Sequence, residues 1–498
     1  MLGIDGRPVT VEVHVATGIP TYTVVGLPDT SCRESRDRVR AALQSSELVW
    51  PQQRITVNLA PTGVPKIGAG LDLAIAVGVL VADGQVPAAS IEGIAFLGEL
   101  GLDGTVRPIA GALPLVGARR RHTVVVAPGN VQEARLVASD VRVVATLREL
   151  VAALRAEEPW PPLPTRVDEP PPPPEPDLAD VRGQPIGRLA LEVAAAGGHH
   201  VLLVGPPGSG KTMLARRLPG LLPCLDADEA LTVSRVHSAA GVGLPRGGLI
   251  RRPPLRAPHH GASAVSLVGG GSGAMRPGEI SLASGGVLFL DELGEFHPVA
   301  LDALRQPLEE GVVRVSRARA SVTYPADFLL VAAMNPCPCG GTGGPGACRC
   351  THRARARYLR RVSGPLLDRF DLRLEVQRAD PGDLLSTASG EATASVAARV
   401  AEVRALAGER GARSNAKLDA AQLDRFAPLA PDASSMFADA LRSGRLSARG
   451  YNRVRAVART LADLDRHLGA LRAEHIAGAL SLRSSLPSLD GYGWAHVG

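Results

Sequence analysis

The chain has 498 residues, 45% of them hydrophobic but only 3% aromatic, and a formal net charge of +6. That length calls for about three domains with aliphatic cores, which excludes a peptide-scale binder. No apolar run is long enough for a bilayer and residues 1–6 lack the charged-then-apolar pattern of a secretion signal, so the chain is expected in the cytoplasm; the basic excess (pI near 9.2) permits approach to polyanions without establishing it.

In chain order, the alternation in 9–15 predicts a strand, 33–43 a helix, 54–59 a second strand and 71–81 an apolar helix, together an α/β domain over 1–156. Residues 157–176 are half proline and predict an extended spacer (157–177), since such a segment cannot build a core. The next domain is expected over 178–380. In it the apolar run 201–204 reads as a buried strand. It leads into Gly205, Pro206, Pro207, Gly208, Ser209, Gly210, Lys211 and Thr212, the complete phosphate-loop pattern. Glycines let main-chain N–H groups wrap phosphates, Lys211 reaches the β/γ oxygens, and the Thr212 hydroxyl is a ligand for Mg²⁺. The chain has only three lysines, Lys66, Lys211 and Lys417; one stands where the chemistry needs a compact ammonium rather than a planar fork.

A long insertion rich in Gly and Arg follows over 238–284. It includes His259 and His260, which extended backbone would point apart and which read as no metal site. The strand 287–290 then runs into Asp291 and Glu292. Coupled to the phosphate loop, Asp291 reads as a second Mg²⁺-side group and Glu292 as the group that polarises attacking water, so the bound ligands are ATP and Mg²⁺. Alternation over 311–319 predicts a hairpin carrying Arg314, Arg317 and Arg319 on one face, either to grip nucleic-acid phosphates or as a solvated strand edge. The strand 328–334 delivers Asn335 to its tip.

Six cysteines do not read as a disulfide framework; Cys32 and Cys224 stand isolated. Cys337, Cys339, Cys348 and Cys350 form two C-x-C pairs able to fold back on one tetrahedral ion, structural zinc, or to remain reduced thiols. A basic run, Arg353, Arg355, Arg357, Arg360 and Arg361, follows as a DNA-facing patch or an exposed helix side. The last domain, 381–498, is expected to be helical, with Val454, Val457, Leu461, Leu464 and Leu468 on one buried face.

Residues 23–29, 54–61, the phosphate loop, 256–260, 276–282, 287–292 and 335–340 together resemble the magnesium-chelatase-like AAA+ ATPases, and more closely the YifB/ComM family associated with DNA processing and competence. The resemblance spans nearly the whole chain. It implies an AAA+ P-loop NTPase core, an N-terminal Lon-protease-like α/β domain and a C-terminal helical domain. It also implies Asn335 as sensor 1, Arg369 as a finger offered to a neighbouring subunit's ATP, Arg449 as sensor 2 in a helix that Ser447 could cap, and a homo-hexamer. By residues alone, Arg369 also reads as an ion pair with Asp368 or Asp371, and Arg449 as a solvated helix charge. The Lon-like likeness rests on 65–70 and 98–113. The positions of a protease's serine and lysine hold Gly70 and Leu113, so no peptidase dyad is expected. A further strand ahead of residue 2 is usual in the family, so the start is expected to be trimmed or misassigned, which bears on the domain's first edge. The primary expectation is a hexameric ATP-driven motor on branched or single-stranded DNA, a translocase or branch-migration helicase with no membrane partner; the alternatives are a chelatase-type motor, a Lon-like peptidase and an ATP-gated scaffold.

Overall fold

The computed structural model describes residues 1, 3–64, 66–164, 175–245, 248–271, 275–317, 320–341, 348–385, 389–443 and 446–483, without the side chains of residues 317, 320, 448 and 449. Strands β1 (Thr10–Ala16), β2 (Thr21–Val25) and β3 (Arg54–Ala60) form a first sheet in the order β1-β3-β2, with β1 antiparallel and β2 parallel to β3. Ile55, Val57 and Leu59 are buried while the residues between them are not, the two-residue period of a half-buried strand. The apolar helix Asp72–Ala82 lies over this sheet. It packs tightly because residue 78 is glycine: a Cβ there would meet Val13 at 2.6 Å. The predicted helix 33–43 is broken at Glu34 into Thr30–Arg33 and Ser35–Ser45. A second, parallel sheet joins β4 (Ile94–Leu97), β5 (Thr123–Val126) and β6 (Val141–Val143).

The chain then passes Trp160, which packs on this unit with the Arg142 guanidinium 5.8 Å from its ring; the proline run 170–174 lies outside the described residues. Strands β7 (Val201–Val204), β8 (Leu255–Arg256) and β9 (Val287–Leu290) follow, then the antiparallel hairpin β10 (Val312–Arg317) and β11 (Ala320–Pro325), then β12 (Leu329–Met334) and β13 (Leu372–Glu375). The main sheet is wholly parallel in the order β8-β9-β12-β7-β13. Alternate residues serve opposite faces: Val201 and Leu203 join one core with the helix Pro185–Gly197 and the carboxyl-terminal helices, Leu202 and Val204 another with the hairpin. Full burial of each such side chain stabilises the fold by roughly 1.5–3 kcal/mol.

The two units are also joined side to side. The Ser238 hydroxyl donates to Glu133 at 2.5 Å, and the main-chain N–H of Gly111 donates to the Ser238 carbonyl at 2.8 Å. Beyond the sheet come the helices Thr393–Glu409, Ala420–Phe426, Pro431–Arg442, Ala448–Leu464 and Ala473–Ser481. Val454 and Val457 are buried and Leu461 and Leu464 half-buried, as their spacing predicts. Leu468 departs from that face: the helix ends at Leu464 and Leu468 is 69% exposed. The same helix buries charge that periodicity did not announce, Arg459 and Asp463. Among the described residues no helix is long and apolar enough to cross a membrane.

Candidate nucleotide site

β7 is buried throughout and ends at Gly205, whose N–H donates to the Met334 carbonyl of β12 at 3.1 Å. Only glycine fits there, since a Cβ would lie 2.1 Å from the Val376 carbonyl oxygen. Gly208 and Gly210 take φ of 76° and 89°, the left-handed region open to glycine, and fold the loop back over the strand. Lys211 donates to the Gly205 and Pro206 carbonyls at 2.8 Å each and to Asn335 Oδ1 at 3.2 Å. Burial lowers its pKa from the ordinary lysine value, against the pull of Asp291 and Glu292. The Ser209 hydroxyl is buried with no hydrogen-bond partner, an orphan that a phosphate oxygen could satisfy.

Because β9 and β12 run parallel to β7, their carboxyl ends reach the same edge of the sheet. Asp291 Oδ2 accepts from the Thr212 hydroxyl at 2.8 Å. This hydroxyl and carboxylate are a hard oxygen pair suited to Mg²⁺, so the residues present fit both a triphosphate and its metal. Glu292 sits at φ 54° with its carboxylate 3.0 Å from His260 Nδ1. That contact was not foreseen. The His259 and His260 rings do not point apart; they lie 4.0 Å from each other, because the chain turns there instead of running as a strand.

Arg369 lies at the other end of the sheet. β13 enters beside the start of β7, where the Asp371 N–H donates to the His200 carbonyl at 3.0 Å. The length of β7 therefore separates Arg369 from its own phosphate loop, about 13 Å for four residues. Arg369 is 7% exposed as a residue, and its guanidinium is paired with Glu309, not with Asp368 or Asp371. Asp371 instead takes Arg453 at 2.5 Å. Burial alone would raise the Asp371 pKa; His199 and Arg453 outweigh it and hold the carboxyl well below the usual range.

Sequence comparison agrees with this architecture along the length of the chain. The family described as Magnesium chelatase, subunit ChlI, matches residues 177–384, with the related Subunit ChlI of Mg-chelatase at 11–130 and the ChlI C-terminal family at 390–483. The uncharacterized protein Rv2897c of Mycobacterium tuberculosis is 46% identical over 493 residues, 97% of each chain. YifB of Escherichia coli is 42% identical over 490 residues, 97% of this chain and 95% of its own, and Competence protein ComM of Haemophilus influenzae 42% identical over 508, covering 98% and 97%. The chain belongs to the YifB/ComM family of magnesium-chelatase-like proteins. Its core is an AAA+ P-loop fold, fronted by a Lon-like α/β unit and followed by helices.

In this YifB/ComM chain the Lon-like unit carries Leu113 fully buried, its N–H donated to Glu133 at 2.9 Å, and Gly70 beside the Ile109 side chain. Ser447 caps the helix Ala448–Leu464 by accepting from the Gly450 N–H at 3.1 Å, while the Arg449 side chain lies outside the described residues. On the hairpin, Val313, Val315, Val322 and Tyr324 face inward and Arg314 outward, 56% exposed and paired with Glu310 at 2.7 Å; Arg319 and the Arg317 side chain lie outside the described residues. Arg353, Arg357 and Arg360 are exposed around the helix His352–Leu359, whereas Arg361 turns in to the Gly294 carbonyl and Glu295, both at 2.9 Å. The sulfurs of Cys337, Cys339, Cys348 and Cys350 all lie within 4.8 Å of one another. The Cys339 thiol is pulled down to about 6 by the Gly341 and Arg349 main chain.

Proposed function

We propose that this chain is an ATP-hydrolysing motor that works as a homo-hexameric ring on DNA, a translocase or branch-migration helicase in DNA processing, competence or recombination. The observation that carries the reading is the place of Arg369, at the opposite end of the sheet from the phosphate loop of the same chain. A guanidinium so placed meets triphosphate only across a seam between protomers. In the proposed division of labour, Gly205 to Thr212 cradle the phosphates and Lys211 exchanges the Gly205 and Pro206 carbonyls for phosphate oxygens. Thr212 and Asp291 hold Mg²⁺, which neutralises charge on those oxygens when bound. Glu292 polarises the attacking water, Asn335 orients it, and Arg369 from the adjoining protomer, exchanging Glu309 for phosphate oxygens, stabilises the charge that develops in transfer. Arg449 is proposed to meet the phosphates from the helical unit. The proposed domains are 1–156, 178–380 and 381–498, and the proposed compartment is the cytoplasm.

The DNA half draws on the exposed Arg314, Arg353 and Arg357, and on the likeness to a competence protein. The test is ATP turnover and native mass of the full chain, with and without four-way or single-stranded DNA over a salt series. The reading expects a six-fold assembly and stimulation that fades with salt, as phosphate contacts require; a monomer that ignores DNA would overturn it. The chelatase family match favours one second reading, a motor for metal insertion through partner proteins, for which turnover would respond to a porphyrin-binding partner and not to DNA.

A further inference from the structure

We propose that Cys337, Cys339, Cys348 and Cys350 bind one zinc-class ion through four sulfurs, and that this ion anchors a strap tying the phosphate loop to the Asn335 strand tip and the Asp291–Glu292 turn. The second half rests on the nucleotide-site reading above; the first does not.

Cys337 Sγ lies 3.4 Å from Cys339 Sγ and 3.5 Å from Cys348 Sγ, and the latter two are 3.5 Å apart. A disulfide needs about 2.05 Å. Thiolates about 2.3 Å from a shared tetrahedral ion stand roughly 3.8 Å from one another, so small shifts convert this cluster into a closed site. Four sulfurs fill the coordination shell and leave no open position for substrate, the pattern of a structural metal.

The surroundings show what the ion would hold. Cys337 is buried two residues beyond Asn335. Gly340, at φ 72°, sits so close to the phosphate loop that a Cβ would lie 2.6 Å from Pro207 Cγ. On the other side of the cluster, Thr351 accepts from the Ala354 N–H at 3.2 Å and caps the helix His352–Leu359. That helix brings the buried Tyr358 hydroxyl to the Asn335 main chain and its ring against Gly294, where a Cβ would lie 2.3 Å from Tyr358 Cζ. Arg361 then closes on the Gly294 carbonyl. The path from Asn335 through the cysteines and the helix thus returns to the turn that carries Glu292. Four thiols are weak mutual hydrogen-bonding partners; one ion bonded to all four would fix the Cys337–Cys339 pair to the Cys348–Cys350 pair ahead of that helix.

The experiment takes the purified full chain, measures metal per chain by elemental mass spectrometry and exchanges the ion for cobalt(II). The expected result is one zinc per chain and, with cobalt, the thiolate charge-transfer and tetrahedral visible bands. Wild-type protein stripped with a chelator, freed of the chelator and assayed in excess Mg²⁺ should turn over ATP about tenfold or more slowly, and zinc should restore the rate. The double variant Cys337→Ser/Cys348→Ser should lose both metal and turnover, while Cys224→Ser, at the exposed isolated cysteine, should keep both. Absence of bound metal, or metal whose removal leaves turnover unchanged, would overturn the proposal. Persistent hydrolysis in Lys211→Ala would instead overturn the nucleotide-site reading and leave the metal count standing.

Discussion

Two carboxylates separate the proposed nucleotide site from a structural one. Asp463, fully buried in the helical unit, takes both Arg410 η nitrogens at 2.5 and 2.6 Å, Asn415 Nδ2 at 2.8 Å and Arg459 Nε at 3.1 Å. Its lone pairs are spent inside the chain. Asp291, at the sheet edge, has one hydroxyl from Thr212 and the N–H of the residue after it, beside an orphaned Ser209 hydroxyl and a lysine bonded to its own loop. Polar groups that saturate each other hold a fold together; polar groups left with unused capacity await a ligand.

The sharpest break in that comparison is at the proposed catalytic pole. Lys211→Ala should abolish ATP binding and cut turnover by roughly a thousandfold, and Glu292→Gln should cut turnover by about a hundredfold or more while ATP still binds, both read by phosphate release and nucleotide titration; neither should move the melting temperature far. Asp463→Ala should do the reverse in kind. Arg410 and Arg459 would be left buried without their counter-charge, costing about 3–5 kcal/mol, visible as a large drop in the unfolding midpoint. His260→Ala frees the Glu292 carboxylate from a half-exposed pair, which should raise basal turnover within about fivefold. A smaller effect is the pH slope. His200 Nδ1 accepts from the Leu330 N–H at 3.0 Å, and burial pushes the ring down to about 4. Between that value and 6.5 the unfolded chain takes up a proton that the folded chain refuses, so stability should fall as pH drops through this window, by on the order of 1 kcal/mol. His200→Gln should flatten that slope in melts at pH 7.5 and 5.

What could be read in the sequence was what is local. A strand ending in Gly205 to Thr212 specifies its own loop, and Val287 to Leu290 specifies the edge at which Asp291 emerges. Strand order was not legible beyond its parallel class, because the crossovers join elements far apart in the chain. Glu309 as the partner of Arg369 went unseen for the same reason: nearer aspartates looked sufficient. The extended backbone that the sequence predicts at His260 is not the one the chain adopts there. Leu468 continued a helical period past the point where the helix stops. The buried Arg459 reads as a solvated face by composition, although Asp463 one turn on, amid Val457, Ala458 and Leu461, was the available sign that the charge is paired within the core.

The direct test of completion across the seam is a mixing experiment with two silent proteins. Lys211→Ala protomers should retain Arg369 but lose ATP binding; Arg369→Ala protomers should hold ATP but lack the proposed finger. Neither should turn over alone, and mixing them should restore a substantial part of wild-type hydrolysis as mixed rings form. Full hydrolysis by Arg369→Ala alone, or silence of every mixture despite proven co-assembly, would contradict the account.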